Sequence, residues 1–243
     1  MTDDRTDSSR GLRSRLTRWF DSLDRVELVA TVVLALAAIA TAWSAFQSSK
    51  WSGDQAILFS EASAARTESA RASATAGQLT QIDVGVFVDW LAALDTDVRS
   101  GAVEIAAGQP YQPDPDTLSG FLFSRFREEF RPAVQAWLDT APLTDPNAPK
   151  TPFEMPEYTL EAAMQADALL VEAEEKAAGA RRANQNSDNY VLTGVLFALV
   201  LFFAGVSSKL KRRRNLSIMM GLAVLGLVTG IVTVLLLPIH ALF

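Results

Sequence analysis

The chain is 243 residues long, with 49% apolar residues, 21% charged residues and a net charge of −6. Those averages conceal three long apolar runs, which rule out a single soluble globule. The absence of cysteine excludes a disulfide framework, a Cys-based zinc site and a thiol nucleophile, and the lone histidine, His240, argues against His-dependent triads and multi-histidine metal centres.

Residues 1–25 form a polar arm with six Arg and five Asp. Residues 26–46 follow as the first apolar run, matched later by residues 190–207 and 216–237. At 1.5 Å per residue each run makes a helix of roughly 27–33 Å, enough for a hydrocarbon core of about 30 Å. Glu27 is the single acid in these runs, and they hold no basic residue. Trp19 and Phe20 before the first run, Trp43 near its outer end and Tyr190 opening the second have the character of interfacial aromatic anchors. Ala40-Thr-Ala42 resembles a signal-peptide cleavage site. The long polar arm and the long apolar stretch favour an uncleaved signal anchor instead.

Residues 47–189 are predicted to be helical throughout, with no strand signal above noise. Spacings of three and four pick out Trp51, Gln55, Leu58, Ala62, Ala65, Ser69, Ala72, Ala76 and Leu79, a heptad-like seam of small or apolar residues apart from Gln55. Ahead of the second run, Ala163, Ala166, Leu170, Ala173, Ala177, Ala180, Asn184 and Ser187 form a similar seam. If Phe46 and Tyr190 both lie near the outer interface, antiparallel partners sum to about 236, which sets the two alanine-rich stretches against each other. Alanine at both seams allows an approach near the 8 Å end of the usual interaxial range. A tight antiparallel hairpin is therefore expected, rising about 45 Å if some 30 residues per arm stay helical.

Between the arms the patterns are bulkier. After a break expected near Gly77, Val84, Phe87, Leu91, Leu94, Val98, Gly101 and Ile105 line one face. Residues 108–116 are a turn-rich connector, and Asp116 or Thr117 is a candidate cap for a helix carrying Leu118, Leu122, Phe126, Phe130, Ala133 and Trp137. Pro132 should kink or restart that helix. Residues 141–156, with five Pro, form a loop. Pro156-Glu157 suits the first turn of the returning arm. Phe121, Phe123, Phe126 and Phe130 span more than one helix face; they either fill the head's core, the better-supported reading, or leave a partner site exposed.

Residues 208–215 carry Lys209, Lys211, Arg212, Arg213 and Arg214 with no acid. Basic residues accumulate in short cytoplasmic loops, so this one and the six Arg of the arm both place the N-terminus inside, 47–189 outside and the C-terminal residues 238–243 outside. The outer segment holds 11 basic and 22 acidic residues, which fits that orientation. The five charges also suit anionic lipid head groups, although setting topology is the commoner role. In the third run, Gly226-Leu-Val-Thr-Gly230, with Gly221 nearby, allows close helix approach in lipid. Ala38/Ala42 and Gly194/Ala198 offer the same spacing in the other runs. These pairs serve either self-association or packing among the protein's own spans.

No ionisable residue lies near the middle of a span, which counts against a pump or ion-coupled transporter. Acidic groups such as Asp95/Asp97, Glu128/Glu129 and Glu172/Glu174/Glu175 read as solvated faces, without the glycine and ligand spacing of a calcium loop. No nucleophile elbow, phosphate-binding loop or zinc-protease motif is present. Neither an enzyme nor a cofactor is expected, and the outer face is too acidic for nucleic acid.

The stretch 41–56 (TAWSAFQSSKWSGDQA), with Glu61-Ala-Ser-Ala-Ala-Arg66 and Gly77-Gln-Leu-Thr-Gln-Ile-Asp83, resembles bacterial integral inner-membrane proteins with no assigned activity. The resemblance covers about the first third of the chain and implies a bacterial inner membrane. The expected fold is thus an all-α membrane protein: three transmembrane helices, with a long extracytoplasmic helical hairpin or four-helix bundle between the first and second. The expected role is non-enzymatic assembly, with membrane lipids, a second copy or another membrane protein as partners. An outer sensor module signalling through a partner is the alternative; it resembles four-helix ligand-binding domains but has only a short basic loop after the second span. A subunit of an oligomeric channel is third.

Overall fold

The computed structural model describes residues 6–105, 111–210 and 212–240, with side chains from residue 27 onward. The described residues are all-helical: α1 (Thr6–Ser100), α2 (Leu118–Ser124), α3 (Arg131–Asp139), a 3-10 turn (Pro152–Glu154), α4 (Glu161–Ser207) and α5 (Arg213–Leu236). Three of these helices are long and apolar enough to cross a membrane.

The first helix corrects the expected break at Gly77, because α1 runs unbroken through Gly53, Gly77 and Gly85. Each of these glycines weakens a helix by about 1 kcal/mol relative to Ala, but no proline interrupts the run. The helix stops at Gly101, whose φ of +77° is the left-handed conformation that glycine adopts freely. There Ala102 N donates to Asp97 O at 2.9 Å and Gly101 N to Val98 O at 3.1 Å, the bond pattern of a Schellman cap.

Contacts divide the chain into two units. Unit 1 comprises Met1–Phe59 and Ala177–Phe243. In it the contacts of α1 step backward along α4 as α1 advances: Ser44 lies beside Gly194, the Ser48 hydroxyl is 3.0 Å from that of Ser187, and Leu58 lies against Gly179. A turn closed by Lys209 N donating to Val206 O at 3.0 Å leads into α5. The buried centre of this unit is Val33 and Ala37 of α1, Phe197, Val200 and Ala204 of α4, and Ala223 and Leu227 of α5.

Unit 2 is Ser60–Lys176. Ala62, Ala65, Ser69, Ala72 and Ala76 of α1 are buried, as are Ala166 and Ala173 of α4. The Ser69 hydroxyl donates to Ala166 O at 2.8 Å, and Lys176 pairs with Glu61 at 2.7 Å. Ala163 is half-buried and Leu170 is exposed, with half-buried Leu169 taking the seam position expected of Leu170. In unit 1 the row continues through buried Ala177, Ala180, Ala183 and Ser187, while Asn184 is only half-buried. Alternation of three and four leaves such adjacent positions nearly equivalent, so Leu169 takes the inner place and Leu170 turns outward.

The head of unit 2 is aromatic. Phe87, Trp90, Leu94, Tyr111, Phe126, Phe130, Val134, Trp137 and Leu138 form one buried cluster. The inward face of α1 here is Asp83, Phe87, Trp90, Leu94 and Asp97. The expected face was wrong at Val84 and Val98, which are exposed. It followed the aliphatics and passed over the two acids, which are buried because each has a partner. Of the kink or restart expected at Pro132, the structure has the restart: the run from Leu118 to Trp137 is two helices, α2 and α3, with Pro132 in the first turn of α3. The Thr117 hydroxyl caps α2 by accepting from Gly120 N at 3.1 Å. Pro156-Glu157 is not the first turn of the returning arm, since α4 begins at Glu161.

Candidate functional site

Helix packing in unit 1 converges on the glycines of α5. A Cβ at Gly230 would stand 2.5 Å from the ring of Phe197, and one at Gly226 2.9 Å from Val200, so both glycines seat α5 against α4. Gly221 is exposed, and a Cβ there would meet nothing within 4 Å. Gly194 is half-buried beside Ser44, whereas Ala38, Ala42 and Ala198 are exposed. The inward stripe of α1 lies one residue earlier, at Ala30, Val33 and Ala37. Lys209, Arg212, Arg213 and Arg214 are exposed; Lys211 and residues 1–5 lie outside the described residues, as do the side chains of the rest of the N-terminal arm. α5 begins at Arg213, so the last two arginines belong to its first turn rather than to a loop.

Past α5 the chain closes onto α1 and α4. Pro238 O accepts from Trp51 Nε1 and from the Tyr190 hydroxyl, each at 3.2 Å. His240 N donates to Gln47 Oε1 at 2.9 Å, and its Nε2 lies 2.8 Å from Asp54 Oδ2. The His240 ring meets Trp51 edge-on at 5.3 Å. Tyr190, expected as an interfacial anchor, is fully buried within the chain and packs there with its hydroxyl on Pro238 O. Trp43 is half-buried, its ring 5.9 Å from that of Phe46. Gln47 is fully buried because its amide bonds both backbone groups of His240, beyond the end of α5.

In unit 2 Arg127 joins two acids. Its guanidinium forks onto Asp83, Nε to Oδ1 at 2.9 Å and Nη2 to Oδ2 at 3.1 Å, and reaches Glu129 at 2.7 Å. Tyr158 donates to Asp83 at 3.1 Å, and Glu129 accepts from Glu161 N at 3.1 Å, at the start of α4. The side chain of Asp83 is 1% exposed, so its charge is tolerated only through these bonds. The amide of Glu161 and then Arg127 hold the Glu129 carboxyl below its ordinary range. Hydrogen bonding to Asp83 pushes the Arg127 pKa up, and burial raises that of Tyr158. A second buried acid, Asp97, accepts from Ser119 N at 2.8 Å at the start of α2.

Among Phe121, Phe123, Phe126 and Phe130, Phe126 and Phe130 are buried and Phe123 is half-buried in the same cluster. Phe121 is 47% exposed, with the Arg125 guanidinium 4.8 Å above its ring. The described residues contain no grouping of three His, Asp or Glu side chains suited to a metal ion. Sequence reasoning missed Asp83, Arg127 and the His240 closure. An acid standing in phase with Phe87 and Trp90 was the available signal for Asp83; nothing local marks a contact between residues 54 and 240. No family model, curated protein or solved structure matches the chain.

Proposed function

We propose that the chain is a non-enzymatic, three-span protein of a bacterial inner membrane that assembles with a second copy or another membrane protein through the segment between its first two spans. Support for the membrane comes from the apolar windows of α1, α4 and α5, of which only 22%, 33% and 17% is buried within the chain. So much exposed aliphatic surface calls for lipid. The basic residues 209–214 favour a cytoplasmic turn, with the N-terminus inside and an outer helical hairpin or bundle between the first two spans.

The observation that carries the assembly reading is on the segment between the spans. Ile82, Val88, Met164 and Val171 are 52–59% exposed on helices that would face water. Apolar side chains this large, left exposed on both helices of such a surface, are candidates for a partner to cover. The buried acids Asp83 and Asp97 are engaged by Arg127 and Ser119 N, which favours architecture over chemistry. Gly226 and Gly230 are already filled by α4, so the outer surface, with Ala38 and Ala42 of α1, is the better candidate for assembly.

The test is gentle solubilisation of the tagged chain from native membranes, with the mass of the complex measured by light scattering. A discrete complex larger than one chain is expected, and Val88→Asp with Val171→Asp should reduce it to the monomer. A monomeric wild-type chain in that measurement contradicts the assembly reading.

A further inference from the structure

A groove of about 670 Å³ runs along α5 where it passes Val29 of α1. Its walls include Leu216, Met220, Gly221 and Val228, and among the described residues Ser217 is its one polar side chain. From Leu216 to Val228 the helix advances roughly 18 Å, close to the depth of one hydrocarbon leaflet, about half of a 30 Å core. The exposed Gly221 opens it, since among the described residues a Cβ there would meet no side chain or neighbouring helix within 4 Å.

The mouth of this groove is basic. Arg213 and Arg214 stand four and three residues before Ser217, one helical turn away on the same face. They and Arg212 are exposed. α5 starts there without a side-chain cap on its N-terminus, so the partial positive charge of the helix end adds to the arginines. A topology signal needs only the charges; it requires neither the groove nor the alignment of arginines with it.

We infer that this groove and its arginines form a site for one anionic phospholipid, with the phosphate at the start of α5 beside Arg213, Arg214 and Ser217 and one acyl chain along Met220, Gly221 and Val228. The inference rests on the membrane reading above. A second copy is the weaker occupant, because it would bring its own basic run to the same depth and the two runs would repel.

The experiment titrates the full chain in detergent with phosphatidylglycerol and, separately, with phosphatidylcholine of the same acyl chains, and counts bound lipid by native mass spectrometry. One phosphatidylglycerol per chain should be retained in preference to phosphatidylcholine. Arg213→Gln with Arg214→Gln should weaken phosphatidylglycerol about 30-fold, from two charges lost near a phosphate. Gly221→Leu, which has room to fold, should displace both lipids by filling the groove. Equal binding of the two lipids, or unchanged phosphatidylglycerol binding in the arginine variant, overturns the site. A dimer that Gly221→Leu splits overturns it in favour of a second copy. Extraction of the wild type by alkaline carbonate separates the two levels. If the chain stays in the membrane and lipid selectivity is absent, the site alone fails; if the chain is released, the membrane reading fails and takes the site with it.

Discussion

Arg127 holds two carboxylates at once, and the two differ in what they contribute. Asp83 is buried and takes the bidentate fork, so its removal leaves a guanidinium without its main partner. Glu129 is one-third exposed and connects Arg127 to the first amide of α4. Its carboxyl is held below the ordinary range, so it favours the folded state above the unfolded pKa of about 4.3. That contribution disappears as pH falls through the depressed folded value. Thermal unfolding of the full chain between pH 7 and 3 should therefore show the wild-type midpoint dropping below about pH 4.3. Glu129→Gln should lie lower at neutral pH and lose less on acidification, so that the two curves converge. Parallel curves across that range would show that Glu129 does not carry this linkage.

Among elements, the decisive contacts are those where small residues let helices close up. Gly230 has no free volume on the side of Phe197, which is itself fully buried and cannot swing away. Gly230→Leu should destabilise the packing of α5 on α4 by about 1–3 kcal/mol, the usual cost of overpacking. Gly221→Leu, into open space, should stay within about 0.5 kcal/mol. Differential unfolding of the two variants in one detergent checks this, and equal effects would contradict the seating of α5 on α4. The alanine rows and the glycine spacing were legible in the sequence because period and size alone encode them. The partner of the Gly-x-x-x-Gly pair was not, since the spacing allows an approach without saying by what. The expected break at Gly77 failed for a related reason. One glycine weakens a helix only modestly, and continuous seam positions on both sides outweigh it, with Ala76 and Asp83 both buried. Leu170 was assigned inward on its spacing of four from Ala166 and three from Ala173, yet Leu169, at three and four, fits the same alternation and is the half-buried one.

For the whole molecule, charge and apolar surface are segregated along the sequence. Three aliphatic windows are left largely uncovered by the chain itself, residues 209–214 are basic, and the segment from 47 to 189 is acidic. The three spans were legible because length and hydropathy define them. The closure of residues 238–240 onto Gln47, Trp51 and Asp54 was not, because contacts so distant in sequence leave no periodic trace. The central claim is that α1, α4 and α5 thread the membrane with the basic turn inside and the acidic segment outside. The chain has no cysteine, so single cysteines introduced at exposed positions report on this without background. The direct measurement is labelling of Ser73→Cys and Asn215→Cys in intact cells with a membrane-impermeant maleimide that reaches the outer face of the inner membrane. The account predicts labelling at 73 at once and at 215 only after the membrane is opened. Labelling at 215 in intact cells, or protection at 73, would contradict it.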